Sequence, residues 1–214
     1  MTDKIFYSPK KRGKIAIFLS GRGSNFQAIH SAILSREIHA DIHVVFSNKK
    51  DAPGLKIASD KGLKTLFLEP KDFNSREEYD QQVVKEMKIR EIDLICLAGY
   101  MRILTPGFCN SFKNKLINIH PALLPSFPGL HVQKKAIEWG VRFSGATVHF
   151  VVAEVDMGPI ITQAVVPVLQ DDTEETLSAR ILREEHRIYP EAVKLYFEGR
   201  LEVRGRRVFI KDPP

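Results

Sequence analysis

Two side chains near the middle of the chain are placed to do carbonyl chemistry. Asn118 and His120, in the run Asn118-Ile119-His120-Pro121, close an apolar stretch at its carboxyl end. Residues two apart on an extended strand share a face, so the pair projects together while Ile119 turns into the core. Pro121 stops the strand and leaves His120 at the rim. A histidine titrates near neutrality and can donate a proton or answer developing negative charge. A carboxamide beside it can donate a hydrogen bond to an oxyanion without changing its own charge. Together they suit addition of an amine to a carbonyl, where charge grows on oxygen and the amine must lose a proton. The pair lacks a carboxylate to orient the histidine. Asp156, in the loop Glu154-Val155-Asp156-Met157-Gly158-Pro159, is the best candidate. A lone histidine at a strand end is more often a hydrogen-bonded structural residue than a catalyst until a partner is found. No nucleophile elbow, Cys–His pair or metal-ligand cluster competes with this reading. His39 and His43 fall on a loop and a strand, where a spacing of four does not bring ligands together. His149 alternates with Thr147 and Val151 on one strand face and reads as core or supporting.

A second signal lies near the start. Ser20-Gly21-Arg22-Gly23-Ser24-Asn25 falls between an apolar strand and a helical pattern. Glycines permit close backbone approach, and the start of a helix offers unpaired N–H groups and the positive end of its dipole, a setting for phosphate. It does not suit a dinucleotide, because Phe26 occupies the third glycine position. The second strand also ends at Phe46-Ser47-Asn48, without an acidic residue for a ribose. Ser24 and Gln27 also form a capping-box pattern, the purely structural account of the same residues. A phosphorylated small molecule fits better than a nicotinamide cofactor.

These residues need a frame to bring them together. Strands are expected at Lys14–Leu19, Ala40–Ser47, Lys64–Leu68, Asp93–Ala98 and Lys115–His120. Between them fall helices at Asn25–Ser35, Pro53–Lys61 and Arg76–Arg90, and a short one led by Pro106. Strands separated by helices of this length pair in parallel through right-handed crossovers. The expected fold is therefore α/β: a doubly wound, mostly parallel sheet flanked by helices. Ligands in such sheets bind outside the carboxyl ends of the strands. From Phe143 to Val168 the pattern becomes two strands flanking the Asp156 loop, and Leu201–Ile210 reads as a small hairpin around Gly205. Ser75 with Glu78, and Asp172 with Glu175, look like capping boxes, and Pro190 is expected to break or kink a helix over Thr173–Glu198.

The totals bound the rest. A chain of 214 residues can bury roughly 70% of its unfolded surface, so no disulfide or metal staple is required. The net charge is +6, but five cations and one carboxylate in residues 1–14 give +4 there and leave only +2 on the other 200 residues. Residues 1–13 are read as a flexible, solvated basic leader, and 14–214 as one domain. No nucleic-acid motif follows the leader. No apolar run approaches a membrane span, and no signal peptide is seen. Cys96 lies in an apolar run and reads as an inert buried thiol; with Cys109 it suggests a reducing cytoplasm.

The motifs, taken in order, resemble the phosphoribosylglycinamide formyltransferase family. The likeness rests on Ser20–Asn25, Leu97-Ala-Gly-Tyr-Met-Arg-Ile-Leu104, Asn118-Ile-His-Pro-Ala-Leu-Leu-Pro125, and Gly145-Ala-Thr-Val-His-Phe150 through Asp156. It runs from about Lys14 to Ile210. The resemblance implies a Rossmann-like formyltransferase fold and transfer of a formyl group from 10-formyltetrahydrofolate, as co-substrate, to the amine of 5-phosphoribosylglycinamide, with no metal. It implies that Asn118 and His120 stabilise the tetrahedral oxyanion, that His120 gives a proton to the folate nitrogen, and that Asp156 supports it. Gly23, Ser24 and Asn25 would hold the ribose phosphate and Glu185 the ribose hydroxyls. Arg76, Met101, Arg102, Ile103, Leu104, Asn118, Val152 and Asp156 would line the folate pocket. The partners implied are small molecules only, with no nucleic acid or membrane, and the chain a monomer or weak homodimer. Arg22 and Met157 stand where the family carries smaller residues. The rivals are a formyltetrahydrofolate deformylase and a folate- or phosphate-binding module without turnover. A first strand near residue 14 leaves no room for the deformylase's N-terminal regulatory domain. A hairpin ending at Pro214 likewise leaves none for the RNA-binding domain of methionyl-tRNA formyltransferase.

Overall fold

A computed structural model describes the backbone of residues 2–4 and all of residues 11–213. The strands are β1 (Thr2–Lys4), β2 (Gly13–Leu19), β3 (Ala40–Ser47), β4 (Thr65–Phe67), β5 (Leu94–Leu97), β6 (Leu116–His120), β7 (Phe143–Phe150), β8 (Ile160–Pro167), β9 (Leu201–Arg204) and β10 (Arg207–Ile210). The helices are α1 (Ser24–Leu34), α2 (Pro53–Asp60), α3 (Arg76–Ile89), α4 (Pro106–Ser111), α5 (Val132–Glu138) and α6 (Glu174–Phe197). Most of the basic leader expected over residues 1–13 lies outside the described residues. Of its remainder, Thr2–Lys4 pair antiparallel with Glu202–Arg204, and Gly13 opens β2.

All ten strands join one sheet in the order β1-β9-β10-β8-β7-β6-β5-β2-β3-β4. The expected α/β architecture is present: β6, β5, β2, β3 and β4 run parallel, while β7 runs antiparallel to both β6 and β8. The terminal hairpin extends this sheet, since β10 lies beside β8. From β2 the chain crosses to β3 and β4 on one side and then returns to β5 on the other. Strand order therefore reverses at β2/β5, and a crevice opens there at the carboxyl ends, the place where such sheets bind ligands.

Each face of the sheet buries its own core. Ile15, Ile17, Leu19, Ile117 and Val148 pack beneath Phe26 and Ile29 of α1 and Tyr189 and Val193 of α6. Ala16, Phe18, Val44 and Phe46 pack beneath Tyr79 and Val83 of α3 and Phe108 of α4. That both faces are apolar explains the near-continuous hydrophobic runs of β2 and β5.

Several local expectations are corrected. Helix α6 runs unbroken through Pro190. Proline removes one backbone hydrogen bond and crowds the preceding turn, at a cost of roughly 3 kcal/mol. Here Ile188, Tyr189, Ala192, Val193, Tyr196 and Phe197 are buried on both sides of it, and that packing outweighs the loss. Its capping box is Thr173 with Thr176, not Asp172 with Glu175; Asp172 instead receives a bidentate bond from Arg180 at 2.7 and 2.8 Å. Helix α1 has no side-chain cap, because Gly23 occupies the N-cap in the left-handed region, so the Ser24–Gln27 pattern caps nothing. At α3, Ser75 caps as expected, but Glu78 reaches back to the amide of Asn74 rather than Ser75. Helix α5 carries no start signal, since its N-cap is His131 with φ 57° and no side-chain bond.

Among the described residues, no helix is long and apolar enough to cross a membrane, and no group of three or more His, Cys, Asp or Glu side chains could hold a metal ion. Cys96 and Cys109 are both free and buried, and burial pushes the Cys109 thiol up to about 11.

Candidate active site

Asn118 and His120 lie at the carboxyl end of β6. The antiparallel register sets Asn118 opposite His149 and His120 opposite Thr147, so four polar side chains share one face of the sheet. The chain then leaves β7 and turns through residues 151–159 before β8 begins. That turn depends on Gly158, where a β-carbon would sit 1.7 Å from the Phe150 carbonyl oxygen. It also holds Asp156 in the left-handed region, at φ 56°, an uncommon conformation for a residue with a side chain. The turn carries the Asp156 carboxylate back over β6, so that Oδ2 lies 3.4 Å from His120 Nδ1. The same oxygen accepts a bond from the amide of Gly129 at 2.8 Å. Both His120 and Asp156 side chains are almost wholly buried.

The hydrogen bonds fix the direction of each group. His120 Nε2 faces the Phe127 carbonyl at 2.9 Å, and a carbonyl only accepts, so Nε2 carries a proton. With the Asp156 carboxylate 3.4 Å from Nδ1, both ring nitrogens face acceptors. His149 is ordered differently. Its Nδ1 donates to the Phe150 carbonyl at 2.8 Å, and burial lowers its pKa, against smaller opposing pulls from that carbonyl and Asp156. The neutral ring therefore presents an Nε2 lone pair, which accepts from Asn118 Nδ2 at 3.3 Å. This sets the Asn118 amide with Nδ2 toward His149 and leaves its second N–H free to donate. Spacing alone gave His149 a core or supporting role; the structure gives it the orientation of Asn118.

Thr147 and Gln163 are functional supports that sequence reasoning missed. Thr147 Oγ1 donates to the Ala122 carbonyl at 2.7 Å and accepts from the Leu124 amide at 3.1 Å. Gln163 Nε2 donates to the Leu124 carbonyl and to Thr147 Oγ1, each at 3.0 Å. They pin the loop that follows His120. The available signal was the alternation of Thr147 with His149, read without the register that sets it across from His120.

The glycine loop and its neighbours form a second cluster at the end of β2. Gly23 adopts φ 75° as the N-cap of α1, and its Cα side is closed by Gly54 of α2, 3.1 Å from where a β-carbon would stand. Asn25 and Glu185 are far apart in sequence and meet here, Asn25 Nδ2 donating to Glu185 Oε2 at 2.7 Å. Burial raises the Glu185 pKa, partly offset by that bond. Asn25 Oδ1 is buried without a partner among the described residues. A buried acceptor beside a buried carboxyl is a place for a hydroxyl-bearing ligand, since an unmet polar group costs about 1–3 kcal/mol. Arg22 stays exposed at the mouth of the loop.

The residues expected to line a folate pocket are less uniform. Met101 and Ile103 are exposed, Leu104 turns its side chain into the core, and Arg102 lies 4.4 Å above the Tyr79 ring. Val152 begins the Asp156 turn and is half-buried. Arg76 sits in the first turn of α3, about half exposed and 3.8 Å from Glu77. A groove of about 850 Å³ runs between α1 and α6. It touches Ser24 but none of Asn118, His120 or Asp156.

The arrangement is thus a proton donor, an amide donor and an orienting carboxylate beside a phosphate-sized loop, fit for addition to a carbonyl carbon. The formyl transferase model matches residues 13–193. Glycinamide ribonucleotide transformylase 1 from Symbiobacterium toebii is 48% identical with a TM-score of 0.92, covering 94% of this chain and 95% of that one. The phosphoribosylglycinamide formyltransferase of Escherichia coli K12 is 44% identical, with 92% of each chain covered. The trifunctional purine biosynthetic protein adenosine-3 of Drosophila melanogaster is 46% identical over 92% of this chain, which spans only 15% of that longer protein. The chain belongs to the formyl transferase family.

Proposed function

We propose that this protein transfers the formyl group of 10-formyltetrahydrofolate to the amine of 5-phosphoribosylglycinamide, a step of purine biosynthesis. The observation that carries the reading is the Asn118–His120–Asp156 cluster at the end of β6, with an anion loop two strands away. Resemblance to transformylases matched over nearly their full length supports the choice of substrates.

The amine nitrogen attacks the formyl carbon, and the carbonyl electron pair moves to oxygen. The free Nδ2–H of Asn118 and the protonated His120 meet that oxyanion. Preorganised donors of this kind supply the largest share of such catalysis. As the intermediate collapses, the bond from carbon to the folate nitrogen breaks, and that nitrogen takes the proton from His120 Nε2, which gives up its bond to the Phe127 carbonyl. The attacking amine passes its proton to the His120 ring, which restores the donor. Asp156 holds the ring in orientation and offsets its charge throughout, the part a carboxylate plays for other catalytic histidines. Gly23, Ser24 and Asn25 hold the ribose phosphate and Glu185 the ribose hydroxyls. Met101–Leu104, Arg76, Val152, Asn118 and Asp156 line the folate side. The reading calls on no metal, and its partners are small molecules, with the protein a monomer or weak homodimer in the cytoplasm.

The deciding experiment follows tetrahydrofolate release with and without phosphoribosylglycinamide. Release that requires the acceptor is expected. Equal release without it supports a deformylase, and no release with either supports a binding module. The acceptor side has its own check: Asn25→Ala removes the bond to Glu185, so KM for the phosphorylated acceptor is expected to rise about tenfold. KM for the formyl folate should stay within about twofold on the same basis. Steady-state titration of each substrate measures both, and an unchanged acceptor KM contradicts the assignment of this cluster.

A further inference from the structure

The stretch Met101–Leu104 belongs to no helix or strand, yet both of its ends are fastened. At the first end the Met101 amide donates to Ser20 Oγ at 2.8 Å. Ser20 is itself held, its own amide donating to the Gly99 carbonyl at 3.0 Å and its hydroxyl to Asn48 Oδ1 at 2.6 Å. At the other end the Thr105 amide donates to Asp80 Oδ2 at 2.7 Å. Between them the Arg102 guanidinium lies over the ring of Tyr79, the neighbour of Asp80 on α3. One turn of α3 thus grips the middle and the far end, while the post at the near end opens the anion loop.

Asp80 is not needed to cap α4. Thr105 caps that helix with its own hydroxyl, which accepts from the Phe108 amide at 3.2 Å. Burying a carboxylate at 2% exposure is costly unless its bonds repay it, so its one bond to the Thr105 amide calls for a reason. The bond's effect is to fix how the preceding backbone lies. Among the described residues, no backbone N–H or C=O of Arg102, Ile103 or Leu104 has a protein partner. Fastened ends and unpaired groups between them make a rigid row of donors and acceptors, complementary to the edge of a flat heteroaromatic ring.

We propose that Asp80 is a positioning residue for the formyl-folate substrate, acting with Ser20 and Tyr79 to hold the backbone of Met101–Leu104 in the shape that reads the folate ring. This rests on the function proposed above. Because Ser20 also opens the anion loop, the same clamp sets the spacing between donor and acceptor.

The test measures steady-state kinetics and equilibrium binding of 10-formyltetrahydrofolate to Asp80→Ala, Asp80→Asn and Ser20→Ala. Asp80→Ala is expected to raise the folate KM about tenfold, the loss of one buried bond. Its kcat and acceptor KM should stay within about twofold. Asp80→Asn keeps an oxygen acceptor for the Thr105 amide and should restore a folate KM near wild type, an outcome a general loosening does not produce. Ser20→Ala should raise the folate KM as well, and it carries the test if Asp80→Ala fails to fold. An unchanged folate KM in a folded variant, an equal rise in both KM values of Asp80→Ala, or an Asp80→Asn variant as impaired as alanine would overturn the proposal. A wild-type protein that binds no 10-formyltetrahydrofolate sinks the underlying reading instead.

Discussion

His120→Ala and Asp156→Asn are each expected to keep the fold and lose turnover by on the order of 10²-fold or more, the size seen when an oxyanion donor is removed. That factor corresponds to about 2.7 kcal/mol of transition-state stabilisation. The two variants reach it differently. His120→Ala removes the proton donor itself. Asp156→Asn is nearly isosteric and can still accept from the Gly129 amide, which bonds Oδ2 at 2.8 Å, but it removes the charge that faces His120 Nδ1 at 3.4 Å. The His120→Ala loss should fall on kcat, whereas Asp156→Asn should lower kcat and, because Asp156 also lines the folate side, raise the folate KM. Single-turnover rates under saturating substrates, with circular dichroism as a check of fold, measure this. Near-wild-type rates in either variant would rule out the proposed roles.

Gly158→Ala is expected to be as damaging to turnover without touching a reacting atom. Its β-carbon would stand 1.7 Å from the Phe150 carbonyl oxygen and 2.7 Å from the carbonyl carbon, and backbone cannot yield there as a flexible side chain would. The turn must move, and Asp156 is two residues away, already in the left-handed region. Displacing a catalytic group by about 1 Å can cost about 10²-fold, so a fall in kcat of that order is expected, with a Tm several degrees lower. The same shift should disturb the His149–Phe150 bond that orients Asn118. A Gly158→Ala enzyme with normal kcat would show that the turn does not set the position of Asp156.

Much of the frame was legible because its signals are local. The alternation of apolar runs and helical patterns placed β2 through β6 and their helices within a residue or two, since the central strands β2 and β5 are buried on both faces. The glycine loop declared itself by composition, and Asn118 and His120 by a spacing of two on one strand. What remained hidden was set by contacts between distant segments. Pro190 lies inside a continuous helix because tertiary packing on either side outweighs a local defect that sequence rules weigh alone. Helix α5 was missed because a left-handed His131 replaces the usual capping signal.

The site divides along the same line. The sequence by itself determined the chemistry available: a histidine and carboxamide at a strand end, a carboxylate in a later turn, and a glycine loop too short in glycines for a dinucleotide. Only the tertiary structure decided how these groups act together. The β6–β7 register set His149 across from Asn118, and the lone pair left on a buried neutral ring fixed the amide's direction. Close packing at Gly158 returned Asp156 to His120, and the meeting of α1 with α6 joined Asn25 to Glu185. The physical reason is that side-chain identity is written one residue at a time, whereas hydrogen-bond direction depends on which distant acceptor lies within about 3 Å.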